Sequence, residues 1–303
     1  MVILNNSYQT AEENLAFEAA YFHSFEEDTL RIWRNPNAVV VGKHQNAFSE
    51  ANLVFCSDNG IPILRRISGG GTVFHDYGNI NFSFFRFVEK SDQVKYSNNL
   101  SIIQQALQKM GFNVWVNERH DIYSGNSKIS GNAQHISKGR ALHHGTILYD
   151  SNMDMLRCSI KKKNGTFTDK SVKSFRSKVK NLREDIDLGT KDEFLELFLN
   201  IIEKNGTFKV SSIDISNHLP LYQTNEWNFG YGPKFQFKIE NSEYPFMIEV
   251  DRGGKIINAY SDRKEIHEML IGLPSDYKYS HVTNYLKTIS TDTATMLHRM
   301  LFS

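Results

Sequence analysis

The segment Arg65-Arg66-Ile67-Ser68-Gly69-Gly70-Gly71-Thr72-Val73-Phe74-His75-Asp76-Tyr77-Gly78-Asn79-Ile80-Asn81 constrains this chain more than any other. Three consecutive glycines leave a bare backbone that an anion can approach without meeting a Cβ. They also carry an entropy cost that a simple tight turn, built on one or two glycines, would not incur. A hairpin is the structural alternative for the triplet alone. The flanks argue for a site: Arg65 and Arg66 offer fixed positive charge for carboxylate or phosphate, while His75, Asp76, Asn79 and Asn81 crowd polar groups into what otherwise reads as a strand. The run therefore predicts a nucleotide-like ligand. No Gly-Lys-Ser/Thr follows the glycines and the spacing is not that of a dinucleotide fingerprint, which argues against a standard kinase, GTPase or dehydrogenase.

The 303 residues are 40% hydrophobic and 23% charged, enough for a substantial core and two domains. A formal net charge of +1 gives no global attraction for nucleic acid or an anionic membrane, so neither is expected as a partner. Two cysteines, Cys56 and Cys158, make no disulfide framework and no metal-ligand spacing. The first residues show neither a secretory pattern nor a transit peptide, and no apolar run reaches membrane-span length. A cytoplasmic location is expected.

Helical periodicity predicts helices over 11–24, around Leu100 to Met110 with a stop at Gly111, and around Phe194 to Ile202 with a stop at Asn205-Gly206. Strands are expected at Leu30 to Trp33, Val39 to Val41, Ile61 to Leu64, Thr72 to Phe74 and Ile80 to Phe87. After Gly230-Tyr231-Gly232-Pro233 the pattern resets to strands at Phe235 to Ile239, Pro245 to Val250 and Ile256 to Tyr260, with a hairpin signal at Asp251 to Gly254 and then two helices. The fold class is α/β with mixed α+β sheets. The expected division is a catalytic domain over 1–230 and a small α+β accessory domain over 231–303.

The glycine run, together with Lys128-x-Ser-Gly-x-Ala and His143-His144-Gly145-Thr146, resembles the lipoate-protein ligase and lipoyltransferase family of the biotin/lipoate ligase superfamily. Further segments agree in order: Asn14-Leu15-Ala16-x-Glu18, Val41-Gly42-Lys43-His44-Gln45-Asn46, Ser177-x-Val179-Lys180-Asn181-Leu182 and Glu226-Trp227-Asn228-Phe229-Gly230. The resemblance implies that lipoate and ATP form lipoyl-AMP with release of pyrophosphate, and that a lysine of an apo lipoyl domain then displaces AMP. Acceptors would be 2-oxoacid dehydrogenase E2 subunits and the glycine cleavage H protein, and the enzyme would act as a monomer.

That chemistry joins two anions, so a fixed cation between them is needed. Lys128, directly before a Ser-Gly pair, is the candidate, against the plain alternative of a solvated surface lysine. The resemblance implies adenylate contacts from Arg66, Thr72, Val73, Phe74, His75, Ser177 and Lys178. It implies lipoate contacts from Ser68, Gly69, Gly70, Gly71, Asn79, Ser130, Gly131, Ala133, His144 and Gly145. Asp121 would hold magnesium, which is satisfied by one carboxylate plus phosphate oxygens; a turn or capping residue is the structural alternative.

Between Lys161 and Arg183 the chain carries nine basic residues and one acidic residue, Asp169. This is either a solvated loop or a lid, formed by Gly165, Thr166 and the stretch from Lys173 to Lys180, that closes over adenylate and attracts an acidic acceptor domain. Two positions depart from the family pattern: Ile67 stands where many members have a polar or basic residue, and His135 where some have arginine. Asn79-Ile80-Asn81 and Lys180-Asn181-Leu182 look like mammalian lipoyltransferase, so transfer from lipoyl-AMP alone is an alternative. Others are an acyl-cysteine octanoyl or lipoyl transferase using Cys158, a non-catalytic lipoate-binding module, and a biotin ligase, whose glycine-rich basic loop differs.

Overall fold

The computed structural model describes residues 1–89, 96–160, 165–211, 213–240, 243–273, 279–289 and 291–302. Its first long helix, Ala11–Ser24, opens on a capping box between Thr10 and Glu13, and every residue from Asn14 to Phe22 is buried. A helix buried on all faces must lie inside the molecule, and a polar residue on it must be satisfied there.

This helix packs against a six-stranded sheet ordered Asn132–Ser137, Arg140–Leu148, Asn79–Phe87, Thr29–Trp33, Val2–Asn5 and Thr207–Phe208. The sheet is antiparallel from its Asn132–Ser137 edge through Thr29–Trp33 and parallel beyond, with Asn81 opposite Thr146 on one side and Trp33 on the other. Its other face carries helices Tyr96–Lys109 and Lys191–Ile202 over an apolar core that includes Ile32, Phe82, Phe84, Leu107 and Phe198. Ala38–Val41 pairs between Ile63–Arg65 and Val73–His75 in a second sheet, which places both arms of the glycine run beside one central strand. Val114–Val116, Ile122–Ser124 and Ser127–Ser130 form a third.

The mixed α/β architecture matches the sequence expectation, with two differences. The four-stranded sheet of Phe235–Ile239, Phe246–Val250 and Ile256–Tyr260 takes its outer strand from Thr166–Asp169, far earlier in the chain. Gly165 and Thr166 are thus the approach to and start of a strand rather than lid. Three helices follow instead of two: Lys264–Ile271, Tyr279–Ile289 and Asp292–Phe302. One apolar cluster joins Phe48, Cys56 and Phe74 to Phe237, Ile248 and Leu297, so the C-terminal elements share a core with the second sheet. No helix among the described residues is long and apolar enough to cross a membrane.

Candidate active site

Two cavities, of about 210 and about 580 Å³, share Thr72, Val73, Lys128, Gly131, Thr146, Ser174 and Phe175 among their lining residues. Lys128 lies on the strand Ser127–Ser130, and its backbone is fixed from outside the hairpin: its N–H donates to the Lys178 carbonyl at 2.9 Å and its carbonyl accepts from Lys180 N–H at 3.3 Å. The ammonium is 2.8 Å from the Asp121 carboxylate. Gly131 makes room for it, since a Cβ at Gly131 would sit 3.1 Å from Lys128 Cε and Nζ. A cation at the boundary of two cavities, neutralised by one carboxylate, is a place where two anionic ligands can meet.

The glycine loop is held from below. Arg66 is 5% exposed; its Nε donates to Ser68 Oγ, its Nη1 to the Val40 carbonyl, and its Nη2 to the carbonyls of Gly69 and Gly71 at 2.6 and 2.7 Å. Burial lowers its pKa to about 10, so it stays charged at neutral pH. Gly70 has φ +83, and Gly42 lies so close beneath that a Cβ there would meet the Gly70 carbonyl oxygen at 2.1 Å. Only glycine fits at 42.

Under the loop runs a buried polar chain. Trp33 Nε1 donates to Ser83 Oγ, which donates to Glu18 Oε1 at 2.6 Å; the same carboxylate lies 2.9 Å from His144 Nδ1, and His144 Nε2 is 2.6 Å from Ser68 Oγ. His144 Nδ1–H is directed at the carboxylate, and the Ser68 hydroxyl oxygen beside Nε2 accepts from Arg66. Burial alone would raise the Glu18 pKa, but His144, by charge and hydrogen bond, with Ser83 and Arg31, holds it below the ordinary value. The chain fixes His144 and Ser68 relative to Arg66, and thereby the loop.

The expected site residues separate as follows. Arg66, Gly70, His75, Asp121, Ala133, His144 and Gly145 line the smaller cavity only, and so does Gly71. Phe74, Ser130, Ser177 and Lys178 line the larger one only, which moves Ser130 to the opposite cavity from His144. Ser68, Gly69 and Asn79 line neither: Ser68 and Gly69 bond to Arg66, and Asn79 donates to Asn81. The Ser130 and Ser177 hydroxyls are buried beside the larger cavity with no hydrogen-bond partner among the described residues. Two orphaned hydroxyls suit a ligand rich in acceptor oxygens.

Arg65 corrects the charge expectation. Its guanidinium is fully buried and donates to the carbonyls of Gly42, Lys43, Gln45, Trp227 and Asn228, so it is unavailable to a ligand. Sequence reasoning also missed Glu18, Trp33, Arg119 and Thr146 as lining residues, and marked Asn81 only as one of a polar cluster. A glutamate amid Leu15, Ala16, Ala19 and Ala20 was the available signal for Glu18.

Of the basic run, Lys161, Lys162 and Lys163 lie outside the described residues. The later part lies over the glycine loop: Ser174 Oγ accepts from Thr72 N–H at 2.9 Å and from Gln45 Nε2, and donates to Glu50. Phe175, 64% exposed, stacks under the Arg119 guanidinium at 3.8 Å and lines both cavities. Part of the charge is paired, Lys173 with Asp169 at 2.7 Å and Arg183 with Asp150 at 2.9 Å. Cys158 is exposed and lines neither cavity.

Two buried histidines set an acid limit. His75, bonded to Asn35 Nδ2, and His143, bonded to Asn99 and Asn132, have pKa values lowered to about 3, first by burial and then by Arg66 and His144 respectively. Their folded values lie below the unfolded value of about 6.5, so the stability they contribute is complete above that pH and is lost as pH falls towards 3. Each removes about 1.4 kcal/mol per pH unit, or roughly 4 kcal/mol for the pair at pH 5. Urea denaturation at pH 7.5 and pH 5 should show that loss, reduced by half in His143→Gln; equal stability at both pH values would refute it.

Residues 10–203 match the model of the lipoyl protein ligase A/B catalytic domain. The chain is 32% identical over 291 residues to lipoate-protein ligase LplJ of Bacillus subtilis, covering 88% of this chain and 86% of that one. A crystal structure of lipoate-protein ligase A bound with ATP superposes with a TM-score of 0.65 at 26% identity, over 76% of this chain and 98% of the other. The lipoate protein ligase of a bipartite archaeal lipoylation system from Thermoplasma acidophilum, solved in work that includes its E2 lipoyl domain, gives 0.64 at 25% identity, over 76% and 96%.

Proposed function

This chain belongs to the lipoyl protein ligase A/B catalytic family, and on that footing we propose that it activates lipoate with ATP and transfers the lipoyl group to a lysine of apo lipoyl domains. The observation that carries the reading is the position of Lys128 on the boundary of the two cavities. The smaller, with Leu15, Trp33, Val40 and Val73 on its walls, suits an acyl chain; the larger, with Arg176, Lys178 and two orphaned hydroxyls, suits a nucleotide.

In this reading a carboxylate oxygen of lipoate attacks the α-phosphorus, the bond to the bridging oxygen breaks, and pyrophosphate leaves. Lys128 lies between the two anions and lowers their repulsion; the Gly70-Gly71 backbone and Thr72 border the new mixed anhydride. The acceptor lysine, as free amine, then attacks the acyl carbon. Lys128 stabilises the oxyanion, AMP departs with the electron pair, and the amine proton goes to solvent. Asp121 would hold magnesium: it lines the smaller cavity 2.8 Å from the boundary residue Lys128 and offers one hard oxygen, to be completed by phosphate oxygens. Bound there, the ion would screen the phosphate charge.

The acceptors in this reading are E2 lipoyl domains and the glycine cleavage H protein, and the working form is a cytoplasmic monomer. Residues 1–230 would carry the chemistry, and 231–303, with the strand Thr166–Asp169 in their sheet, would anchor one end of the segment over the glycine loop. The test is mass spectrometry of an apo lipoyl domain incubated with the protein, magnesium-ATP and lipoate, beside a reaction given preformed lipoyl-AMP. Modification in both is expected. Modification from lipoyl-AMP alone would make the protein a transferase, and none in either would refute the reading.

A further inference from the structure

The smaller cavity is lined by a polar group that no described residue satisfies. Asn81 is 2% exposed; its Oδ1 accepts from Asn79 Nδ2 at 2.9 Å, and its Nδ2 has no hydrogen-bond partner among the described residues. Its polar neighbours are already engaged: Trp33 Nε1 with Ser83, His75 Nδ1 with Asn35, and Glu18 with His144. Leu15, Trp33 and Val40 belong to one buried apolar cluster and line this cavity but not the larger one, and Asn81 stands opposite Trp33 in the sheet, so these residues form its apolar wall, whereas Lys128 stands on the shared boundary. If an acyl carboxylate lies at Lys128, as the reading above has it, the tail of the chain ends among them.

A buried N–H donor facing a methylene chain stays unsatisfied, which is costly, while a sulfur atom is a weak acceptor that can relieve it. We propose that Asn81 is a specificity-determining residue, whose free amide N–H donates to a ring sulfur at the tail of the substrate and so favours a cyclic disulfide over a plain hydrocarbon tail. A site built around a hydrogen bond discriminates against the analogue lacking the partner more sharply than an apolar wall discriminates by shape. The inference rests on the proposed lipoate reading and adds to it the reason a shorter or straight-chain acid of similar polarity would be disfavoured.

Calorimetric titration of the full chain with lipoate, 5-cyclopentylpentanoate and octanoate tests this directly, because the cyclopentyl acid keeps ring size and chain length while replacing both sulfurs with CH2. The wild type should bind lipoate about tenfold more tightly than the cyclopentyl acid. Asn81→Leu should bring the two within about twofold, both by weakening lipoate and by strengthening the hydrocarbon acid. The ratio comes from one preparation, so partial misfolding cancels; Asn81→Ala, which likewise carries no donor, serves if the leucine variant is insoluble. Equal binding of the two acids by the wild type, or an unchanged ratio in the variants, would overturn the role of Asn81 while leaving lipoate binding intact. Failure to bind any of the three acids would overturn the lipoate reading and this inference together.

Discussion

Lys128→Met is expected to lower pyrophosphate release from ATP and lipoate, and lipoyl transfer from preformed lipoyl-AMP, by at least about a thousandfold each. Methionine keeps the length and apolar stem of lysine and removes the charge. The ammonium is held by Asp121 at 2.8 Å, and the backbone is fixed by the Lys178 and Lys180 hydrogen bonds, so the cation is positioned before any ligand arrives. A preorganised charge in a site sheltered from water stabilises developing negative charge far more than a mobile one. Lys128→Arg should rescue little, because a planar guanidinium is wider than an ammonium and Gly131 lies against Nζ. The two half-reactions should fall together. If only one falls, Lys128 serves that step alone; if neither does, the assignment of the site is wrong.

The glycine run was legible as a candidate site because its signal is local, three glycines beside fixed charge; Lys128 stood out only through the family resemblance, since a lysine before Ser-Gly is otherwise an ordinary surface residue. The helix 11–24 and most strands up to Phe87 were legible from a local signal too, periodicity within a short window. Contacts between distant segments were not. Val114–Val116 and Ile122–Ser124 are three residues each, too short for alternation to stand out, and they become strands by pairing with one another. Thr166–Asp169 is a strand because Phe235–Ile239 lies beside it, some seventy residues away. Within the site, charge was visible and partners were not. Arg65 and Arg66 read identically as cations, yet Arg66 faces the cavity while satisfying Ser68, Gly69 and Gly71, and Arg65 faces a ring of carbonyls. The family resemblance makes Ser68 a ligand contact, but its hydroxyl lies 2.6 Å from His144 Nε2 and it lines neither cavity.

That difference between neighbouring arginines gives the second large effect, and it falls on stability. Arg65→Met is expected to unfold the protein far more readily, lowering the melting temperature by more than about 10 °C. The guanidinium donates to five carbonyls, three in the turn from Gly42 to Gln45 and two at Trp227 and Asn228; Trp227 Nε1 in return donates to the Arg65 carbonyl at 2.6 Å. One side chain thus ties the turn that carries Gly42, and with it the glycine loop, to the segment that leads into the C-terminal strands. Burial lowers the Arg65 pKa only to about 10, so the group is charged at neutral pH, and its carbonyl partners share that charge in place of a counter-ion. Removing it leaves several buried acceptors unpaired, at about 1–3 kcal/mol each before relaxation, on the order of 5 kcal/mol in all. That is comparable with the net stability of a typical domain. Arg65→Lys should recover part of the loss, since an ammonium reaches two or three of the carbonyls and cannot span five. Were Arg65 a ligand contact, substitution would raise the KM for ATP or lipoate in a protein that melts normally. Thermal denaturation beside steady-state kinetics separates the two cases: a normal melting temperature for Arg65→Met would refute the structural role, and a large fall with KM unchanged in the surviving folded fraction of Arg65→Lys would establish it.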